Sequence, residues 1–123
     1  MDRDRFRRLV RRAMLALPPE FTTLMDNVEV VVRREPSAAD RVAGEIGPED
    51  DLFGLYTGIP MTERNSYGNV LPDRIVIFQG PHERAFRSSE MAREVLRTVH
   101  HEVAHHFGIS DERLDVLERR PHR

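Results

Sequence analysis

The 123-residue chain has no cysteine, and its 19 basic residues are all arginine, so lysine is absent as well. The absence of cysteine excludes disulfides, thiolate zinc sites, iron–sulfur clusters and cysteine nucleophiles. The absence of lysine excludes catalysis through a lysine Schiff base. Any metal ion must therefore be held by histidine, aspartate or glutamate.

The chain also lacks a strong charge of either sign and a long hydrophobic run. Its formal net charge of -2 indicates neither a basic surface for nucleic acid nor an acidic tail. No apolar stretch approaches the roughly 18 to 20 residues of a membrane span, and the segment AMLAL is too short for the core of a signal peptide. We expect a cytoplasmic protein without nucleic-acid or membrane partners, folded as one domain over residues 1–123. No pattern indicates an oligomeric state.

Hydrophobic periodicity predicts an α+β fold, with about three helices packed on a small twisted sheet. The expected helices are 3–17, 89–107 and 110–119, with a further short one at 82–86. The expected strands are 28–34, 53–57 and 74–79. The segments VEVVV and IVIF are the most β-branched, so we expect them at the centre of the sheet and the short, glycine-flanked 53–57 strand at its edge. Residues 36–51 are expected to form a loop.

Four of the six histidines lie close together in HHEVAHHFG, at the end of the predicted 89–107 helix. Only His101 and His105 are four residues apart, the spacing that stacks two imidazoles on one helix face within reach of one ion. His106 falls on the apolar stripe of the helix and His100 lies on its flank. We therefore interpret these two as structural, buried or hydrogen-bonded side chains.

Glu102 completes an H-E-x-x-H motif and lies where a general base can contact a metal-activated water. Its alternative role is a surface carboxylate that pairs with His106. Gly108 permits a left-handed turn that ends the helix and returns the chain, so that Asp111 could provide a third ligand. Glu112 and Asp115 are alternative ligands. Alternatively, Asp111 and Glu112 are not ligands and only interact favourably with the positive end of the last helix.

The segment HEVAHHFGISDERL, with GLYTGIPMTER and LPDRIVIFQGP before it, resembles the minimal zincins, small bacterial proteins considered candidate zinc metallopeptidases. This resemblance implies a compact zincin-like core, one zinc ion held by His101, His105 and Asp111, and Glu102 as the catalytic acid and base. Asp111 stands where metzincins have histidine. The glutamate that completes a gluzincin site has only Glu118 as a counterpart.

Two functions are consistent with this motif. The first is a zinc-dependent peptidase that hydrolyses short or unfolded peptides, in which Glu102 takes a proton from water and returns it to the leaving amine. Tyr56, Tyr67 and Arg113 are the candidates for stabilising the oxyanion, and a peptide substrate could pair with the 53–57 strand. The second is a non-catalytic metal- or peptide-binding module, which the small size of the chain favours.

Overall fold

A computed structural model of the chain describes residues 1–22, 25, 27–47, 49–58 and 73–108. These residues form an α+β fold, as expected, with helices packed on a small mixed sheet. In chain order the elements are α1 (Arg3–Leu15), α2 (Pro19–Thr22), β1 (Val28–Arg33), α3 (Ala38–Ala43), β2 (Gly54–Thr57), β3 (Asp73–Phe78), α4 (Gln79–Ala85), a 3-10 turn (Ser88–Glu90) and α5 (Met91–His106). The helix expected at 110–119 lies outside the described residues.

The sheet has the strand order β1-β3-β2, which places β3 at its centre. β1 runs parallel to β3, with Val30 opposite Ile75, and β2 runs antiparallel to β3, with Tyr56 opposite Ile75. Among the described strands β2 pairs with β3 alone, so the edge position expected for the 53–57 strand is confirmed within this part of the chain.

Both faces of β3 are buried, which explains its central position. Ile75 and Ile77 pack into the core between the sheet, α1 and α5, whereas Val76 and Phe78 pack on the other face against Leu52. A strand with two covered faces is hydrophobic almost throughout, as IVIF is.

The expectation that VEVVV is also central is wrong, because in the described part of the chain β1 pairs with β3 alone. Glu29 and Arg33 of β1 are exposed. β-branched residues favour a pleated, half-buried surface, and this preference does not distinguish an edge strand from a central one.

Helix α1 buries one face against α5 and leaves its arginines in solvent. Asp2 begins the helix by accepting a hydrogen bond from the Arg5 N–H at 2.8 Å. Phe6, Val10 and Ala13 are buried and belong to the same core as the apolar face of α5. The helix ends at Leu15, two residues before the expected end, although Leu17 is still buried.

Two further helices differ from the expectations. α3 lies within the segment expected to be a loop, and it begins with a capping box in which Ser37 and Asp40 each accept the backbone N–H of the other. The S-x-x-D pattern of these residues is a helix-start signal. α4 begins at Gln79, so β3 ends at Phe78 and the helix expected at 82–86 starts earlier.

Among the described residues, no helix has both the length and the apolar character needed to span a membrane.

Candidate metal centre

Helix α5 carries the histidines and has two distinct faces. Its inner face buries Met91, Val95, Val99 and Val103, whereas Ala92 is exposed. The helix ends as expected, because Gly108 adopts the left-handed conformation with φ of 76° and its N–H bonds to the His105 carbonyl at 2.9 Å. Glycine adopts this conformation without the steric cost of a side chain.

The outer face of α5 lines a cleft of about 720 Å³. The opposite side of the cleft is formed by β2 and by the segment that follows α3. The α5 residues that line it are Glu94, Arg97, Thr98, His101, Glu102 and His105. The four-residue spacing therefore predicted correctly that His101 and His105 share one face of the helix.

His101 and His105 lie on successive turns, with their ring centroids 4.6 Å apart. One ligand atom from each ring and a carboxylate oxygen of Glu102 all lie within 4.8 Å of one another. Two imidazoles at this separation beside a carboxylate are a donor set that suits zinc. The chemistry of these three residues therefore fits a metal ion such as zinc.

Glu102 is almost completely buried, at 5% exposure, although its side chain lines the cleft. Its Oε1 atom lies 3.3 Å from Nδ1 of His105. A carboxylate next to Nδ1 favours the tautomer with the proton on that nitrogen, which leaves the lone pair of Nε2 to bind a metal. The position of Glu102 therefore differs from that of a surface carboxylate paired with His106.

β2 approaches α5 closely at Gly54. A Cβ atom on Gly54 would lie 2.8 Å from Cγ2 of Thr98 and 3.0 Å from Cγ of Glu102, both closer than ordinary van der Waals contact. Glycine at this position therefore allows the edge strand to lie directly against the part of α5 that carries Glu102.

His106 and His100 are structural residues, as interpreted from the sequence. His106 is fully buried, and its Nδ1 lies 2.9 Å from Oδ2 of Asp73. His100 is half-buried, and its Nε2 donates to the Ala13 carbonyl at 3.3 Å, which links α5 to α1.

Tyr56 takes part in the same buried cluster. Its hydroxyl donates to Oδ2 of Asp73 at 2.8 Å, and its ring contacts the His106 ring edge to face. This hydrogen bond directs the Tyr56 proton towards Asp73. The other two candidates for stabilising an oxyanion, Tyr67 and Arg113, lie outside the described residues.

His82 of α4 contacts α5 through the Thr98 side chain. Its Nδ1–H donates to the Phe78 carbonyl at 2.7 Å, and its Nε2 lies 2.9 Å from the Thr98 hydroxyl. The same hydroxyl lies 3.0 Å from the Glu94 carbonyl, a second acceptor for its proton. Burial lowers the pKa of His82 and outweighs the opposing effect of the Phe78 carbonyl, so burial favours the neutral form of the ring.

The structure thus brings together three of the four predicted site residues, His101, Glu102 and His105. Asp111 and its alternatives Glu112 and Asp115 lie outside the described residues, as does Glu118. Sequence reasoning missed Arg97, which also lines the cleft. Its position four residues before His101 is the signal that could have identified it.

A helix that presents two histidines and a glutamate of an H-E-x-x-H motif to a cleft defines a candidate zincin-type metal site. The family model described as zincin-like metallopeptidase matches residues 25–120, and the chain therefore belongs to this family. No curated protein matches the chain.

A solved structure of similar fold is that of a conserved hypothetical protein from Thermo thermophilus. The similarity covers 98% of this chain and 100% of that one, with a TM-score of 0.58 and 22% sequence identity. At this identity the similarity shows a shared fold and nothing about a shared activity.

Proposed function

We propose that the chain is a zinc-dependent peptidase that hydrolyses short or unfolded peptides in the cleft along α5. In this proposal His101, His105 and Asp111 hold the zinc ion and Glu102 is the general base. The observation that carries the proposal is the buried carboxylate of Glu102 next to the two stacked imidazoles. Membership of the zincin-like metallopeptidase family supports it.

Zinc at this position supplies Lewis-acid chemistry, because it lowers the pKa of water towards about 7 and polarises a carbonyl group. The carboxylate of Glu102 accepts a proton from the attacking water and returns it to the leaving amine. Burial of Glu102 and its contact with His105 hold the carboxylate in one place. A base held in this way needs little reorganisation during the reaction.

The edge strand β2 provides a surface along which the peptide can be aligned. Within the described residues β2 pairs with β3 alone, so its other edge has backbone groups available for an extended peptide. Gly54, Leu55 and Tyr56 of this strand line the same cleft as His101 and Glu102. A peptide paired with β2 would therefore pass next to the candidate metal centre.

A second candidate function is metal binding without catalysis. It is favoured by the fact that a Glu102 oxygen lies close enough to the ligand atoms of His101 and His105 to bind the same ion. In that case Glu102 is a ligand, and its position next to the ion has no catalytic purpose.

One substitution, Glu102→Gln, distinguishes the two functions. The wild type and this variant are loaded with zinc, analysed for metal content and incubated with a diverse peptide library whose cleavage is followed by mass spectrometry. If Glu102 is the base, the variant keeps its zinc and loses hydrolysis by about 100-fold or more. Loss of zinc from the variant would identify Glu102 as a ligand. If the wild type cleaves no peptide that the variant spares, the peptidase proposal is wrong.

A further inference from the structure

The charged side chains that line the cleft differ in whether an oppositely charged side chain lies next to them. Of the four acids that line it, Asp51 lies 2.9 Å from an Arg84 nitrogen, Glu94 lies 3.5 Å from Nε of Arg93 and Glu102 lies next to His105, whereas Glu45 forms no ion pair with another described residue. Neither of these two arginines lines the cleft. Among the described residues that line it, Arg97 is the one arginine.

Within the described part of the chain, Arg97 forms no ion pair with an acidic residue. Its side chain is exposed, and the nearby acid on its own helix, Glu94, contacts Arg93 instead. Arg97 precedes His101 by one helical turn, which places it on the same face at an axial separation of about 6 Å. A guanidinium group is therefore available in the cleft next to the candidate metal centre.

We propose that Arg97 binds a carboxylate group of the peptide and makes the cleft selective for peptides that carry one near the scissile bond. A guanidinium group matches a carboxylate through two parallel hydrogen bonds, which gives both affinity and orientation. Adjacent residues of a peptide are about 3.8 Å apart, so a flexible arginine one helical turn from the metal centre can reach a carboxylate one or two residues from the bond. The carboxylate is either the C-terminal group or an acidic side chain.

This inference deepens the proposed function and rests on it for the use of the subsite in substrate selection. Binding can nevertheless be measured without hydrolysis. The test uses immobilised, zinc-loaded protein carrying Glu102→Gln and a random pentapeptide library in two forms, one ending in a free carboxylate and one in a carboxamide. Retained peptides are identified and quantified by mass spectrometry.

Arg97→Gln is compared with Arg93→Gln in the same background. Arg93 is a matched control because it lies one turn away on the same helix, is 72% exposed and does not line the cleft. Arg97→Lys keeps the charge but loses the two-pronged geometry, and it should restore binding only in part.

If the C-terminal group is bound, the carboxylate library is retained about tenfold better than the carboxamide library. If an acidic side chain is bound, peptides retained from the carboxamide library are enriched in aspartate and glutamate. Either preference should disappear with Arg97→Gln and remain with Arg93→Gln. The proposal is overturned if neither preference is found or if Arg97→Gln leaves it unchanged. Hydrolysis by the wild type is measured separately. A missing activity would contradict the peptidase proposal, whereas the binding experiment would still test the role of Arg97.

Discussion

Nδ1 of His106 lies 2.9 Å from Oδ2 of Asp73, and neither side chain is more than 1% exposed. Asp73 begins the central strand β3 and His106 ends helix α5, so this contact joins the histidine-bearing end of the helix to the sheet. The Tyr56 hydroxyl, from β2, donates to the same carboxylate oxygen at 2.8 Å. One buried carboxylate therefore connects β3 to α5 and β2, the two elements that contribute residues to both sides of the cleft.

Asp73→Ala is expected to lower the free energy of unfolding by about 3–5 kcal/mol, because it removes the buried carboxylate that the buried His106 ring and the half-buried Tyr56 hydroxyl share. The neighbouring Arg74→Ala is the control. It breaks only the half-exposed pair with Glu29 at 3.2 Å and should cost less than about 1 kcal/mol. Urea denaturation measures both changes in the free energy of unfolding. Changes of equal size would show that the buried cluster stabilises the protein no more than the half-exposed pair does.

Gly54→Ala is expected to destabilise the protein by about 1–3 kcal/mol and to reduce peptide hydrolysis, because the added methyl group collides with Thr98 and Glu102. Gly47→Ala is the matched control, since its Cβ would meet only the end of the Asp50 side chain, at 3.2 Å. Denaturation curves and activity of both variants provide the comparison. A Gly54→Ala protein as stable and active as the control would show that β2 can move away from α5 without cost.

The stability of the protein should depend on pH through His82. Burial lowers the pKa of His82 in the folded protein, whereas in the unfolded chain the pKa of the ring is near its ordinary value of 6.5. The unfolded state therefore binds the proton more readily, and stability is lost as the pH falls below that value. His82→Phe, which keeps an aromatic ring next to Phe6 and Phe53, should flatten this decline between about pH 7 and 5. Parallel declines in the wild type and the variant would exclude His82 as a contributor.

The wild type is expected to bind one zinc ion per chain, because His101 and His105 are stacked on one helix face. Metal analysis after mild purification should find zinc in the wild type and in His100→Ala, whose imidazole contacts the Ala13 carbonyl. The double variant His101→Ala/His105→Ala should bind none at the same free zinc concentration. Equal zinc content in all three proteins would place the ion elsewhere.

Asp111 is predicted to be the third ligand, which leads to a comparison with its neighbour Glu112. Asp111→Asn should weaken zinc affinity by at least about tenfold, since a ligand contributes its charge directly to the ion. Glu112→Gln should change the affinity little. Competition with a chelator of known affinity measures both constants, and the reverse ranking would assign the ligand to Glu112.

The part of the site that could be predicted from the sequence depends on local geometry. The four-residue spacing of His101 and His105 fixes a shared helix face, and Gly108 ends that helix wherever it packs. IVIF could be recognised as a central strand because a strand covered on both faces is hydrophobic throughout. α3 could also have been predicted from the sequence, because the Ser37–Asp40 capping box is a local signal for the start of a helix. The loop-like composition of the segment obscured this signal.

Only the tertiary structure decided which distant residues meet these local elements. Burial makes His106 structural, but that Asp73 would be its partner depends on how β3 and α5 pack. The edge position of β1 among the described strands, the close approach of Gly54 to Glu102 and the exposure of Arg97 to the cleft have the same origin. Sequence periodicity determines which face of an element is apolar, whereas the residue that covers this face is selected by the simultaneous packing of all the elements.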